Sequence, residues 1–167
     1  MSAQDGNGWR FAAADDDAVV EADTDRLAIS TPETNFFGPD TEDRRWDVTL
    51  PTQPALDLSI DANAARGRID LAGAHLTNLE LSANAGDVLL DLGGAAVGGV
   101  NLEVNAGTAS VVLDDSTSMT GSMSANAGSL EVCAPASVGL QVHMDDNVAF
   151  GDNLDESGLR SIDASTW

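Results

Sequence analysis

The chain has 167 residues, with seven Arg, no Lys and 28 acidic residues, for a formal net charge of −21. Nucleic acids and anionic membrane surfaces are held by Lys/Arg patches, so this balance argues against direct binding to either. Hydrophobic residues make up 43%, too many for a wholly disordered acidic chain, and a single cysteine, Cys133, leaves no internal disulfide framework and no Cys-rich metal site.

Residues 1–17 include Asp15-Asp16-Asp17 and read as a flexible acidic arm. Its start, Met1 to Gly8, is polar and lacks the basic and apolar regions of a signal peptide. No later stretch approaches 18 apolar residues, so no membrane-spanning helix is expected. From about residue 18 to 150 an internal repeat dominates. Asn63, Asn84, Asn105 and Asn126 open Asn-Ala-Gly or Asn-Ala-Ala tripeptides, Asn147 opens a looser copy, and each asparagine follows the last by 21 residues.

The columns around the asparagines agree. Five residues before them stand Leu58, Leu79, Val100, Gly121 and Val142, and three before them Ile60, Leu81, Leu102, Met123 and Met144. These alternate with Ser59, Glu80, Asn101, Ser122 and His143, the period-2 pattern of a strand with one buried face. A second run follows each asparagine: Gly67-Ile69-Leu71, Val88-Leu90-Leu92, Ala109-Val111-Leu113 and Leu130-Val132-Ala134. A weaker third run carries Leu76, Val97, Met119 and Leu140. Upstream, Trp46-Val48-Leu50 falls on the second-run columns, and Leu27 and Ile29 fit one period earlier.

A 21-residue unit of short strands cannot bury its own apolar face, but stacked units can, each pairing in parallel with the next. No segment shows a 3.6-residue period. The expected fold is therefore all-β, a right-handed β-solenoid of five or six coils, in preference to a β-sandwich. Residues 151–167, where Leu154, Leu159, Ile162 and Trp167 are irregularly spaced, are expected to cap the last coil. The column Asn63, Asn84, Asn105, Asn126 and Asn147 reads as structural, because Asn tolerates left-handed corners and bonds to its own kind along a stack.

Residues able to do chemistry do not converge. His75 and His143 sit on different columns more than three coils apart, which disfavours a shared metal site. Asp145, Asp146, Asn147, Asp152, Asn153, Asp155 and Glu156 cluster, but the EF-hand pattern fails, with Phe150 where its glycine belongs. Asp114-Asp115 reads as a solvated turn. Asp70 and Asp91 stack on one outward column beside Arg66 and Arg68, the arrangement a carbohydrate-active β-helix enzyme would use. An ion-pair ladder from Arg66 to Asp87 explains the same charges without catalysis. Cys133 shares the outward column of Asp70, Asp91 and Val112 and is expected to be a buried structural thiol under the C-terminal segment. No catalytic residue, cofactor site or metal site is assigned.

The segment Trp46-Asp47-Val48-Thr49-Leu50-Pro51, followed by the Asn-Ala-Gly coils, resembles the toast-rack domain, the β-solenoid-like domain of bacterial cell-envelope proteins related to adhesin-like and cell-wall-stress-response families. The resemblance covers roughly residues 18 to 167. It implies a non-enzymatic binding, scaffold or sensor module of a membrane-associated protein, on the extracytoplasmic side, with an envelope protein or cell-wall component as partner. Family members commonly carry membrane helices before the domain. This chain has none, and its pattern stops at Ser165-Thr166-Trp167, so it is expected to be a piece of a longer protein whose anchor lies outside it. A secreted adhesin-like module and a carbohydrate-active enzyme are the alternatives. The acidity fits a halophilic source or an outer envelope face.

Overall fold

A computed structural model describes residues 2–4, 10–13, 19–22, 27–30, 46–51, 55–62 and 65–141, with side chains at Leu50, 55–61 and 66–141. The described residues contain no helix. Five strands precede the repeat: β1 (Ser2–Gln4), β2 (Arg10–Ala13), β3 (Val19–Ala22), β4 (Leu27–Ser30) and β5 (Trp46–Pro51). The repeat supplies β6 (Leu56–Ala62), β7 (Ala65–Asp70), β8 (His75–Ala83), β9 (Gly86–Asp91), β10 (Ala96–Val112) and β11 (Ser118–Cys133).

The repeat strands wind into a β-solenoid of about four turns. One parallel face is built from β6, β8 and the first halves of β10 and β11; the other from β7, β9 and their second halves. Leu58, Leu79, Val100 and Gly121 are ladder neighbours, as are Ile60, Leu81, Leu102 and Met123. Each coil lies one 21-residue period above the last, as the asparagine spacing predicts.

The apolar columns point inward from both faces and meet. Leu71, Leu79, Leu81, Leu90, Leu92, Leu102, Val104 and Val111 are fully buried. Burying each such side chain is worth about 1.5–3 kcal/mol, so these central coils anchor the domain. Equivalent positions at the ends are less covered. Leu58 and Ile60 in β6, and Met119, Met123 and Leu130 in β11, are half-buried, and Val132 is 40% exposed.

Two kinds of corner join the faces. At the first, β10 and β11 pass through Asn105-Ala106-Gly107 and Asn126-Ala127-Gly128 without losing register. At the second, turns close from Ala74 N–H to the Leu71 carbonyl (3.0 Å) and from Ala95 N–H to the Leu92 carbonyl (2.9 Å). Gly73 and Gly94 take the third place of these turns with φ of 69° and 67°, which a side chain would resist.

The constant period hides a compensation. Five steps separate Leu71 from Leu76 and Leu92 from Val97, but six separate Leu113 from Met119. The next stretch reverses this: three steps from Leu76 to Leu79 and from Val97 to Val100, two from Met119 to Gly121. The shorter corner is thus paired with a β-bulge and the longer corner with none. The Thr120 hydroxyl donates to the Gly98 carbonyl at the bulge (2.9 Å).

The strands before the repeat depart from the expected register. β5 pairs in parallel with β1 and antiparallel with β2, and β3 pairs antiparallel with β4. Four residues separate β3 from β4, enough for a hairpin but far short of the crossover that parallel strands need. Leu27 and Ile29 therefore do not stack as a coil. Residues 1–17, read as an arm, contribute β1 and β2. Leu50 does join the core, 7% exposed, one period before Leu71.

Candidate functional site

The asparagine corner places Asn84, Asn105 and Asn126 in one line. Asn105 Nδ2 donates to Asn84 Oδ1 (2.8 Å), and Asn126 Nδ2 donates to Asn105 Oδ1 (2.7 Å). Asn126 Nδ2 also donates to Glu103 Oε1 (3.1 Å). A carboxylate only accepts, so this contact fixes which way the amide faces. The amides thus bond one another along the stack. Asn63 and Asn147 lie outside the described residues.

Similar side-chain links run across the outer face of the first strands. Asn78 Nδ2 donates to Asp57 Oδ1 (2.7 Å), and the Ser122 hydroxyl to Asn101 Oδ1 (3.2 Å). On the second face Arg66 Nε meets Asp87 Oδ2 at 3.4 Å and Arg68 Nη2 meets Asp91 Oδ2 at 3.7 Å. Arg66 is 90% exposed in its side chain, so its pair contributes little stability. An open depression here is lined by Arg66, Arg68, Asp87, Leu89, Thr108 and Ser110.

Asp70 and Asp91 are ladder neighbours on one outward column, as their spacing predicts. Their carboxylates are engaged locally. Asp70 Oδ1 accepts from Ala72 N–H (3.2 Å) and Asp91 Oδ1 from Gly93 N–H (3.1 Å), each fastening the start of the following turn.

Asp114 takes a larger role than a solvated turn residue. Its Oδ1 accepts from Ser116 N–H (2.8 Å) and from Gly94 N–H one coil away (2.8 Å). The Thr117 hydroxyl accepts from Asp114 N–H (3.0 Å) and donates to the Leu92 carbonyl (2.9 Å). The backbone donors of Gly94 and Ser116 hold the Asp114 carboxyl below the usual carboxylate range. The signal was present as Asp-x-x-Thr, a side-chain-capped turn.

Cys133 corrects the expectation of a buried thiol: it is exposed. It does share the column of Val112, but it ends β11, which among the described strands has only β10 beside it. His75 is exposed on β8; His143 and the acidic cluster at 145–156 lie outside the described residues. Among the described residues no three His, Cys, Asp or Glu side chains gather in a metal-binding group, and no helix is long and apolar enough to cross a membrane.

Comparison with curated proteins and with solved structures found no match. The family model for the N-terminal domain of toast_rack, DUF2154, matches residues 14–114, more than half of the chain. That span takes in β3 and β4, β5 and the repeat strands through the Asn105 corner to the end of the third coil. The chain therefore belongs to the toast-rack N-terminal domain family, which is associated with bacterial membrane-associated envelope proteins.

Proposed function

We propose that this domain is a non-enzymatic scaffold or binding module of a membrane-associated envelope protein, held on the extracytoplasmic side and facing an envelope protein or cell-wall component. The observation that carries the reading is how the outward side chains are spent. Asn, Ser, Asp and Arg residues bond along the stack or fasten corners, rather than converging on a reacting atom. Toast-rack domains are not known as enzymes. A stacked repeat offers instead an extended, regular surface for a partner.

Cys133 supplies the test, because it is exposed and is the chain's one thiol. In intact cells producing the natural protein, a membrane-impermeant maleimide should label it. Labelling that requires lysis would reject the extracytoplasmic placement. Purified domain mixed with isolated cell wall and with envelope proteins should be retained by one of them and should release no soluble sugar. Retention by neither, or sugar release, would reject the module reading.

A further inference from the structure

Among the described residues every sulfur atom lies on one strand. Met119, Met123 and Cys133 all belong to β11, and the chain's remaining methionines, Met1 and Met144, fall outside the described residues. The three sulfurs are divided between the two sides of that strand. Cys133 is exposed on the outward column of Asp70, Asp91 and Val112. Met119 and Met123 stand on inward columns.

Those columns change character at β11. In the two coils before it, the Met119 column holds Leu76 and Val97 and the Met123 column holds Leu81 and Leu102, all at most 4% exposed. Met119 and Met123 are half-buried. Each therefore packs on the core while part of its side chain meets solvent. A thioether suits such a place as a soft apolar filler, but it is also the group that oxidation turns polar. The side chains stacked against the two methionines, Val97 and Leu102, carry no hydrogen-bond donor for an added oxygen.

We propose that Met119 and Met123 are a peroxide-oxidation site that controls how firmly β11 is held to the stack. The sulfur lone pair attacks one oxygen of hydrogen peroxide, the O–O bond breaks and an S–O bond forms. Sulfur loses two electrons, and the second oxygen leaves with both hydrogens as water. The sulfoxide oxygen then faces Val97 or Leu102 without a partner, which a buried column resists. β11 relieves this by coming away from β10. β10 stays paired with β8 and β9, so the loosening stops at β11. Oxidation of Cys133, on the outward side, leaves the inward columns as they are.

The test uses the full chain with Cys133→Ser, so that thiol chemistry is absent. Folded protein is treated with hydrogen peroxide under conditions that oxidise methionine in a short peptide. Peptide mass mapping should show one added oxygen on Met119 and on Met123. Amide hydrogens of β11 should then exchange roughly tenfold faster or more, while those of β8 and β9 keep their rates. Adding Met119→Leu and Met123→Leu, the residue type of these columns at Leu76 and Leu102, should abolish the response, whereas Met144→Leu should leave it in place. Methionine sulfoxide reductases A and B together should restore slow exchange. Absence of added oxygen at Met119 and Met123 overturns the proposal. So does oxidation without faster exchange in β11, an acceleration shared equally by β8 and β9, or the same acceleration in the leucine variant.

Discussion

Gly107 lies against Gly86 so closely that a β-carbon on Gly107 would collide with the Gly86 carbonyl oxygen. The φ of Gly107 is 108°, a region L side chains resist. Gly107→Ala therefore meets both a clash and backbone strain at the same corner. It should lower stability by about 2 kcal/mol or more in urea unfolding. A loss below about 0.5 kcal/mol would show that the corner does not need the close approach.

Leu102 is 1% exposed between its ladder neighbours, the buried Leu81 and the half-buried Met123, whereas Glu80, one coil earlier, is exposed. Leu102→Ala should cost about 2–5 kcal/mol. Glu80→Ala should change stability by less than about 0.5 kcal/mol. Similar losses at both would contradict the inward and outward assignment.

The Asn105 amide donates to one neighbour and accepts from another. Asn105→Ala breaks the ladder on both sides, at a cost of about 1 kcal/mol. Ser129, exposed on β11, is the control; Ser129→Ala should stay within about 0.5 kcal/mol of the parent. Equal small effects would indicate that water replaces the amide bonds without loss.

Asp114 makes stability depend on acid. Its carboxyl is held below the ordinary value in the folded chain, so the ionised form favours folding. That contribution is complete above the unfolded carboxylate range, near pH 4, and is lost as pH falls through the lower folded value. Asp114→Asn keeps an acceptor oxygen but removes the charge. The Tm difference between parent and Asp114→Asn should be constant above about pH 5 and narrow steadily below it. A difference independent of pH down to acid unfolding would show that the charge contributes nothing.

With a net charge of −21 the folded chain repels itself, and counterions relieve part of that repulsion. The Tm should rise clearly between low salt and about 1 M NaCl or KCl. A flat response in both salts would remove charge repulsion from the account of stability.

The stacked columns were legible because inward side chains recur at one fixed interval, and Leu79, Leu81, Leu90 and Leu92 report it without ambiguity. The third run was weaker for a physical reason. Leu76, Val97 and Met119 sit where corner length and bulge trade a residue, so their spacing moves from 21 to 22. Upstream, Trp46-Val48-Leu50 shows the same alternation, but alternation describes a strand and not its partner; β1 and β2, not β7, pair with it. The outward column of Asp70, Asp91, Val112 and Cys133 was readable for the same reason as the core. The exposure of Cys133 was not, because it depends on how many coils lie above it rather than on the column. The turn at Asp114 carried a local signal in Asp-x-x-Thr, but its bond to Gly94 crosses coils, and no local pattern announces that.

The trade between corner and bulge sets a rule of phase for the whole stack. A coil built with both the six-step corner of Leu113–Met119 and the three-step bulge of Val97–Val100 would run one residue long. Strand side chains alternate, so that single residue would invert every position after it, turning the leucine and valine columns to water and the serines and glutamates to the interior. The two irregularities therefore act as one adjustable joint, and a change in either is tolerated only when the other answers it within the same coil.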